Sequence, residues 1–312
     1  MSGHARGIAF AAGTAAISGL AIFLNARGVR AAGDATVYTT AKNLIAAGVL
    51  LAAVLVGTSR SGTTPRKGPA LLQLKGTVIS GVLAVAVIGG SVPFVLFFEG
   101  LARESSTHAA FLQKTLVVWV ALLAPLLLGE RLRFPHAVAI ALLVAGQAFA
   151  DGGLSGFRFG SGEVLILAAT LLWSIEVIVA RSLLPHVAPL LLGTARLALG
   201  AAVLVSWIAV SGRWSALTGL DRQGWLWAAV TGVVLAGYVA GWFTALSLAP
   251  AVDVTAVLSL GALVTAVLSA VDTGTLPSAG EAGGLAMLFA GAALIVMAAL
   301  RARGRAAEGA AP

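Results

Sequence analysis

The chain has 312 residues, enough for one large or two ordinary soluble domains. Its composition excludes both: 59% of residues are hydrophobic and only 10% charged, where a soluble domain carries about 25%. A surface so poor in charge must face lipid, which rules out a soluble enzyme, a disordered tail and a DNA-binding module. The net charge of +8 comes from twenty Lys and Arg scattered through short loops; they form no basic helix, so no nucleic-acid partner is expected. The absence of cysteine excludes disulfides, thiolate metal sites and cysteine nucleophiles. Four histidines, none at zinc-ligand spacing, give no reason to expect a metal or other cofactor.

A spanning helix needs about 20 mostly apolar residues. Ten such stretches follow in chain order, at 6–26, 36–56, 77–99, 107–128, 135–151, 162–181, 187–209, 225–248, 252–272 and 281–300. The second is the weakest, because Tyr38, Thr39, Thr40, Lys42 and Asn43 crowd its first half, and nine spans is the alternative count. The first stretch resembles a secretory signal, but it is too long and too many spans follow; it reads as an uncleaved helix. With ten spans both termini share a side. That side collects eleven Lys and Arg against six on the other, which places both termini in the cytoplasm.

Shifting the chain by 145 residues lays its second half over its first: Phe98 meets Phe243, Leu101 meets Leu246, Gly129 meets Gly274 and Gly146 meets Gly291. Each unit holds five spans, an odd number, so the second must enter the membrane inverted. The expected architecture is an all-α polytopic membrane protein of two inverted five-helix repeats, at 6–151 and 152–300, with a basic tail at 301–312. Inverted repeats of this kind build secondary transporters whose substrate site lies near the midplane between the halves.

Residues 99–149 end one helix in a proline-bearing apolar run and Gly129–Glu130–Arg131, and a glycine-bearing helix follows, with Pro125 and Gly146 at the corresponding places. This resembles the EamA-type signature of the drug/metabolite transporter superfamily, and residues 171–183 and the Arg196 helix are similar to the opening of that family's repeat. The resemblance implies a carrier whose cavity is walled by spans one, three, four, six, eight and nine. One departure is evident. The second turn reads Gly274–Thr275–Leu276 and lacks both the acid and the arginine.

Ionisable side chains at membrane depth cost several kcal/mol or more unless they face a cavity or a partner. From a rise of 1.5 Å per residue, Lys42 and Lys114 lie about 5–6 Å outward of their helix centres, Glu176 about 6 Å inward and Arg196 about 3 Å inward. Lys42 and Arg196 occupy equivalent positions in the two repeats. Lys114, flanked by Gln113 and Thr115 and followed by Trp119, reads either as a cavity cation for an anionic group or as a structural ammonium at a helix break. Glu176, which follows Trp173 and Ser174, reads as a proton-coupling acid or, preferably, as the fixed partner of Arg196. Arginine does not give up its proton and would hold the glutamate charged. Glu130 and Arg131 read as a surface turn or a gate latch. Asp253 follows Pro250 at a helix start, where an acid meets the helix dipole favourably.

The candidates for binding or coupling are therefore Lys114, Gln113, Trp119, Glu176, Arg196, Lys42 and Trp173, with Glu130 and Arg131 as gate or turn residues and no catalytic set. The expected function is alternating-access export of a small polar or amphiphilic metabolite, amino-acid-like or another organic anion, from a multi-pass position in a bacterial inner membrane. The expected partners are that substrate, the lipid bilayer and protons as coupling ion, with a homodimer left open. A membrane-embedded enzyme and a non-transporting scaffold are the rival classes. The first lacks any Ser/His/Asp set or carboxylate pair at depth, and the second leaves four buried ionisable residues without a role.

Overall fold

The computed structural model describes residues 3–60, 76–130, 132, 134–150 and 160–308; Arg131 and most of the basic 57–76 loop lie outside them. All the described secondary structure is helical: α1 (Gly3–Ala32), α2 (Ala35–Arg60), α3 (Gly76–Gly90), α4 (Val92–Leu101), α5 (Ser106–Lys114), α6 (Leu116–Leu128), α7 (Phe134–Ala150), α8 (Ser161–Leu183), α9 (Pro189–Val210), α10 (Trp214–Thr218), α11 (Arg222–Leu248), α12 (Ala251–Leu258), α13 (Gly261–Thr273) and α14 (Ala279–Glu308). Joined end to end, α3–α4, α5–α6 and α12–α13 each make one broken span. Eight helices or helix pairs among the described residues are long and apolar enough to cross a membrane. The 17-residue α7 and the 30-residue α14 hold the places of the fifth and tenth spans and pack on each other.

The packing repeats with the halves exchanged. α1 lies along α11, and α8 lies along α3–α4; α2 packs on α9, and α7 on α14. The backbone repeats as well. Gly129 and Gly274, 145 residues apart, close α6 and α13 in the same left-handed conformation, at φ 67° in both; glycine enters that region without steric cost.

The break in the third span has a local chemical cause. Pro93 carries no N–H, so the Gly89 carbonyl loses its helical donor; Trp173 Nε1 donates to it instead, at 3.1 Å. At the α5–α6 and α12–α13 breaks a hydroxyl turns back on the helix. Thr115 Oγ1 donates to the Leu112 carbonyl at 2.7 Å, and Ser259 Oγ to the Ala256 carbonyl at 2.5 Å. Without water at this depth, backbone groups must be satisfied from within the protein. Close approach of helices comes from small residues: α3 and α9 cross where Gly90 and Gly200 meet backbone to backbone, leaving no room for a Cβ on either.

Candidate functional site

A cavity of about 70 Å³ opens where the repeats meet. Spans one, three, four, six, eight and nine contribute Asn25, Phe94, Gln113, Trp173, Tyr238 and Leu258 among others. These are the six walls that the family resemblance implied. Spans two and seven add one residue each, and both are cations: Lys42 and Arg196. They stand at the same place in their helices, seven residues after Ala35 in α2 and seven after Pro189 in α9.

Arg196 and Glu176 form the expected pair. Arg196 Nε lies 2.9 Å from Glu176 Oε1, and Nη2 donates to Oε2 at 3.2 Å. Both residues are almost fully buried, at 3% and 1% exposure. Arg196 Nη1 is buried without a hydrogen-bond partner. Its guanidinium lies 5.4 Å from the Phe94 ring centre and 6.0 Å from that of Phe243. Lys42, 1% exposed, has no acid beside it among the described residues. Its ammonium rests 3.6 Å over the Phe98 ring and 5.1 Å from the centre of Phe94, a cation–π arrangement that strengthens as water is excluded. Two cations thus share the Phe94 wall with one carboxylate.

Of the aromatic shell, Trp173 was a candidate from the sequence, while Phe94, Phe97, Phe98, Tyr238 and Trp242 were not singled out. Phe94, Phe97 and Phe98 follow an i, i+3, i+4 spacing that puts them on one helix face, and that spacing was the available signal. Trp173 meets Phe94 edge-on at 5.5 Å and Phe97 at 5.4 Å, while Tyr238 stacks on Trp242 at 6.1 Å. Tyr38 donates to Asn25 at 2.9 Å and shares a hydrogen bond with Thr231 at 2.7 Å, tying α1, α2 and α11 together behind this wall.

Lys114 is buried at the α5–α6 break, where Nζ donates to Ser18 Oγ at 2.9 Å and to Gln113 Oε1 at 2.8 Å. Gln113 lines the cavity; Lys114 and Trp119 are not among its lining residues. Trp119 Nε1 is buried without a partner.

Towards the face that carries the N-terminus, Glu130 reaches across to the second repeat. Its carboxylate accepts from the backbone N–H groups of Ala251 at 2.9 Å and Val252 at 3.3 Å, the start of α12. An anion is stabilised there by both the free N–H groups and the helix dipole. Arg181 lies 3.7 Å from the same carboxylate and donates to the Leu246 carbonyl at 2.7 Å. Asp253 lies in the first turn of α12, where an acid was expected to meet the helix dipole, and its carboxylate is 3.0 Å from His4 Nε2. At the opposite face Arg27 pairs with Asp272, and Arg213 with Asp34 at 3.3 Å.

The opposite face also gathers Glu104, His108 and Glu163, whose ligand-type atoms lie within 4.8 Å of one another. Partial burial and the nearby Glu163 push the Glu104 carboxyl above the usual range. Sequence spacing did not show this group, since Glu163 comes from the other repeat.

Broken helical spans around an aromatic-walled cavity that holds a few charged side chains are an arrangement that secondary transporters share. The profile of the EamA-like transporter family matches residues 5–150 and 160–297, and the chain belongs to that family. No curated protein matches the sequence. A solved structure titled "Crystal structure of protein" superposes with a TM-score of 0.68 at 19% identity, covering 93% of this chain and 97% of that one; the likeness is one of fold.

Proposed function

We propose that the protein is a secondary carrier that exports a small organic anion across a bacterial inner membrane by alternating access, with both termini in the cytoplasm. The observation that carries this reading is the cavity at the repeat interface, where the buried cations Lys42 and Arg196 outnumber the single acid Glu176. A charge held out of water without a partner is costly, so an excess cation at this depth favours an anionic visitor. The excess of basic residues on the side of the termini supports the orientation. The Glu130 contact with α12 supports a latch: it spans the two repeats and must break if they rock apart. Glu176, the acid that lines the cavity, is the candidate proton carrier. Family membership favours transport over chemistry.

The test is flux in proteoliposomes loaded with isotope-labelled organic acids, with the recovered compounds analysed for chemical change. Acid-dependent flux of unaltered compound, driven by a pH gradient, is the expected result. Conversion of the compound would identify an enzyme, and absence of flux for the whole panel would sink the carrier reading.

A further inference from the structure

The cavity's charge balance is local and unequal. Glu176 is committed to Arg196 through two contacts, at 2.9 Å and 3.2 Å, so its charge is spent on one of the two cations. Lys42 Nζ lies over the Phe98 and Phe94 rings, and among the described residues Arg196 Nη1 is a buried donor with no acceptor, while Glu176 Oε1 meets Arg196 Nε by close contact without a hydrogen bond. Both groups lean on the same Phe94 ring, at 5.1 Å and 5.4 Å from its centre. A desolvated donor and a desolvated ammonium on one wall are an anion site waiting for oxygen atoms.

We propose that this wall, and not Lys114, receives the carboxylate of a singly charged organic acid that has a flat apolar body and no ammonium group. The inference rests on the transport reading for its biological setting, but not for its chemistry. One carboxylate between Lys42 Nζ and Arg196 Nη1 neutralises the uncompensated charge, and a second on the same wall would meet Glu176 with nothing left to offset it. A zwitterion or an amine would need an acid for its ammonium, and Glu176, already held by Arg196, is the only acid among the described residues that line the cavity. The body of the ligand is set by the shell: Phe94, Phe97 and Trp173 present crossed ring faces, which favour planar, apolar groups through offset and edge-on contacts. Lys114 is set apart because Ser18 and Gln113 occupy its ammonium, and it does not line the cavity.

Four ring compounds of matched size separate the charge classes: benzoate, phthalate, phenylalanine and benzylamine. Calorimetric titration of the purified full-length protein should show benzoate binding, with the dianion, the zwitterion and the cation each at least about tenfold weaker. Lys42→Gln should weaken benzoate by at least about tenfold, a loss of the size expected when one partner of a buried charge contact is removed. Glu176→Gln should shift the preference towards phthalate, because one acid fewer leaves room for a second carboxylate. If that variant does not fold, the Lys42→Gln comparison alone decides. Benzoate binding that is indifferent to Lys42→Gln, or equal binding of phenylalanine or benzylamine, overturns the site. So does failure of benzoate to bind at millimolar concentration, even where flux of another solute shows that the carrier reading stands. Lys42-dependent benzoate binding without flux of any acid in the proteoliposome panel upholds the site and overturns the carrier reading instead.

Discussion

Arg196 and Glu176 show what a buried ion pair demands of its neighbourhood. Each is held at the membrane's depth by the other, so removing one leaves a bare charge where water cannot reach. Arg196→Gln should therefore cost about 3–5 kcal/mol, while adding Glu176→Gln to it should recover most of the loss, since an amide pair leaves no charge uncompensated. Thermal unfolding of the three variants in one detergent measures this; a double variant no more stable than the single would remove the pair from the list of structural contacts. Rise per residue made the pairing legible in the sequence, because it places two side chains at one depth. It does not give the direction in which a side chain points around its helix. That is why Lys42 could be matched to Arg196 across the repeats without revealing that both lean on Phe94. It is also why Lys114 and Trp119, polar groups on an apolar helix, drew attention that the cavity lining gives to Gln113 alone.

At the scale of elements, the two half-spans α5 and α12 begin differently. α5 is capped by its own Ser105, whose hydroxyl accepts from the His108 N–H at 3.1 Å. α12 has no such side chain at its own start, and Glu130 from the other repeat takes the role. Glu130→Ala should leave the amides of Ala251 and Val252 without acceptors and speed their hydrogen exchange, while the amides of α5 stay unchanged. Unaltered exchange at both positions would show that the contact does not hold the helix start. The missing acid in Gly274–Thr275–Leu276 pointed to this asymmetry, but the target of Glu130 could not be read from the sequence. It lies 121 residues away, and a backbone N–H carries no sequence signature. The break inside the fourth span was one of two readings offered for Lys114, but the break inside the ninth was silent: a Ser turning back on the helix looks like any other polar residue in an apolar run.

For the whole molecule, apolar run length and the 145-residue repeat were sufficient to read the class of fold, because span length is fixed by the bilayer and an odd number of spans forces inversion. The absolute orientation rests on the basic residues alone, and it can be tested on this naturally cysteine-free chain. Ser215→Cys, on the exposed α10 between α9 and α11, should react with a membrane-impermeant thiol reagent added to intact cells. Protection there, with reaction only after the cells are opened, would reverse the orientation and with it the assignment of export. The unequal capping of α12 and α5 has a consequence for timing. Hydrogen bonds to a charged group contribute roughly 1.5–3 kcal/mol each; the N-terminal mouth has the two that Glu130 accepts from α12 across the seam between repeats, and the opposite mouth has the pairs Arg27–Asp272 and Arg213–Asp34. Every 1.4 kcal/mol is a tenfold change in population, so either mouth must break contacts of this size to open, and the two sets compete for the resting state of an empty carrier. Glu130 would then be one weight on a balance, and how long the carrier idles on each side would depend on both seams together.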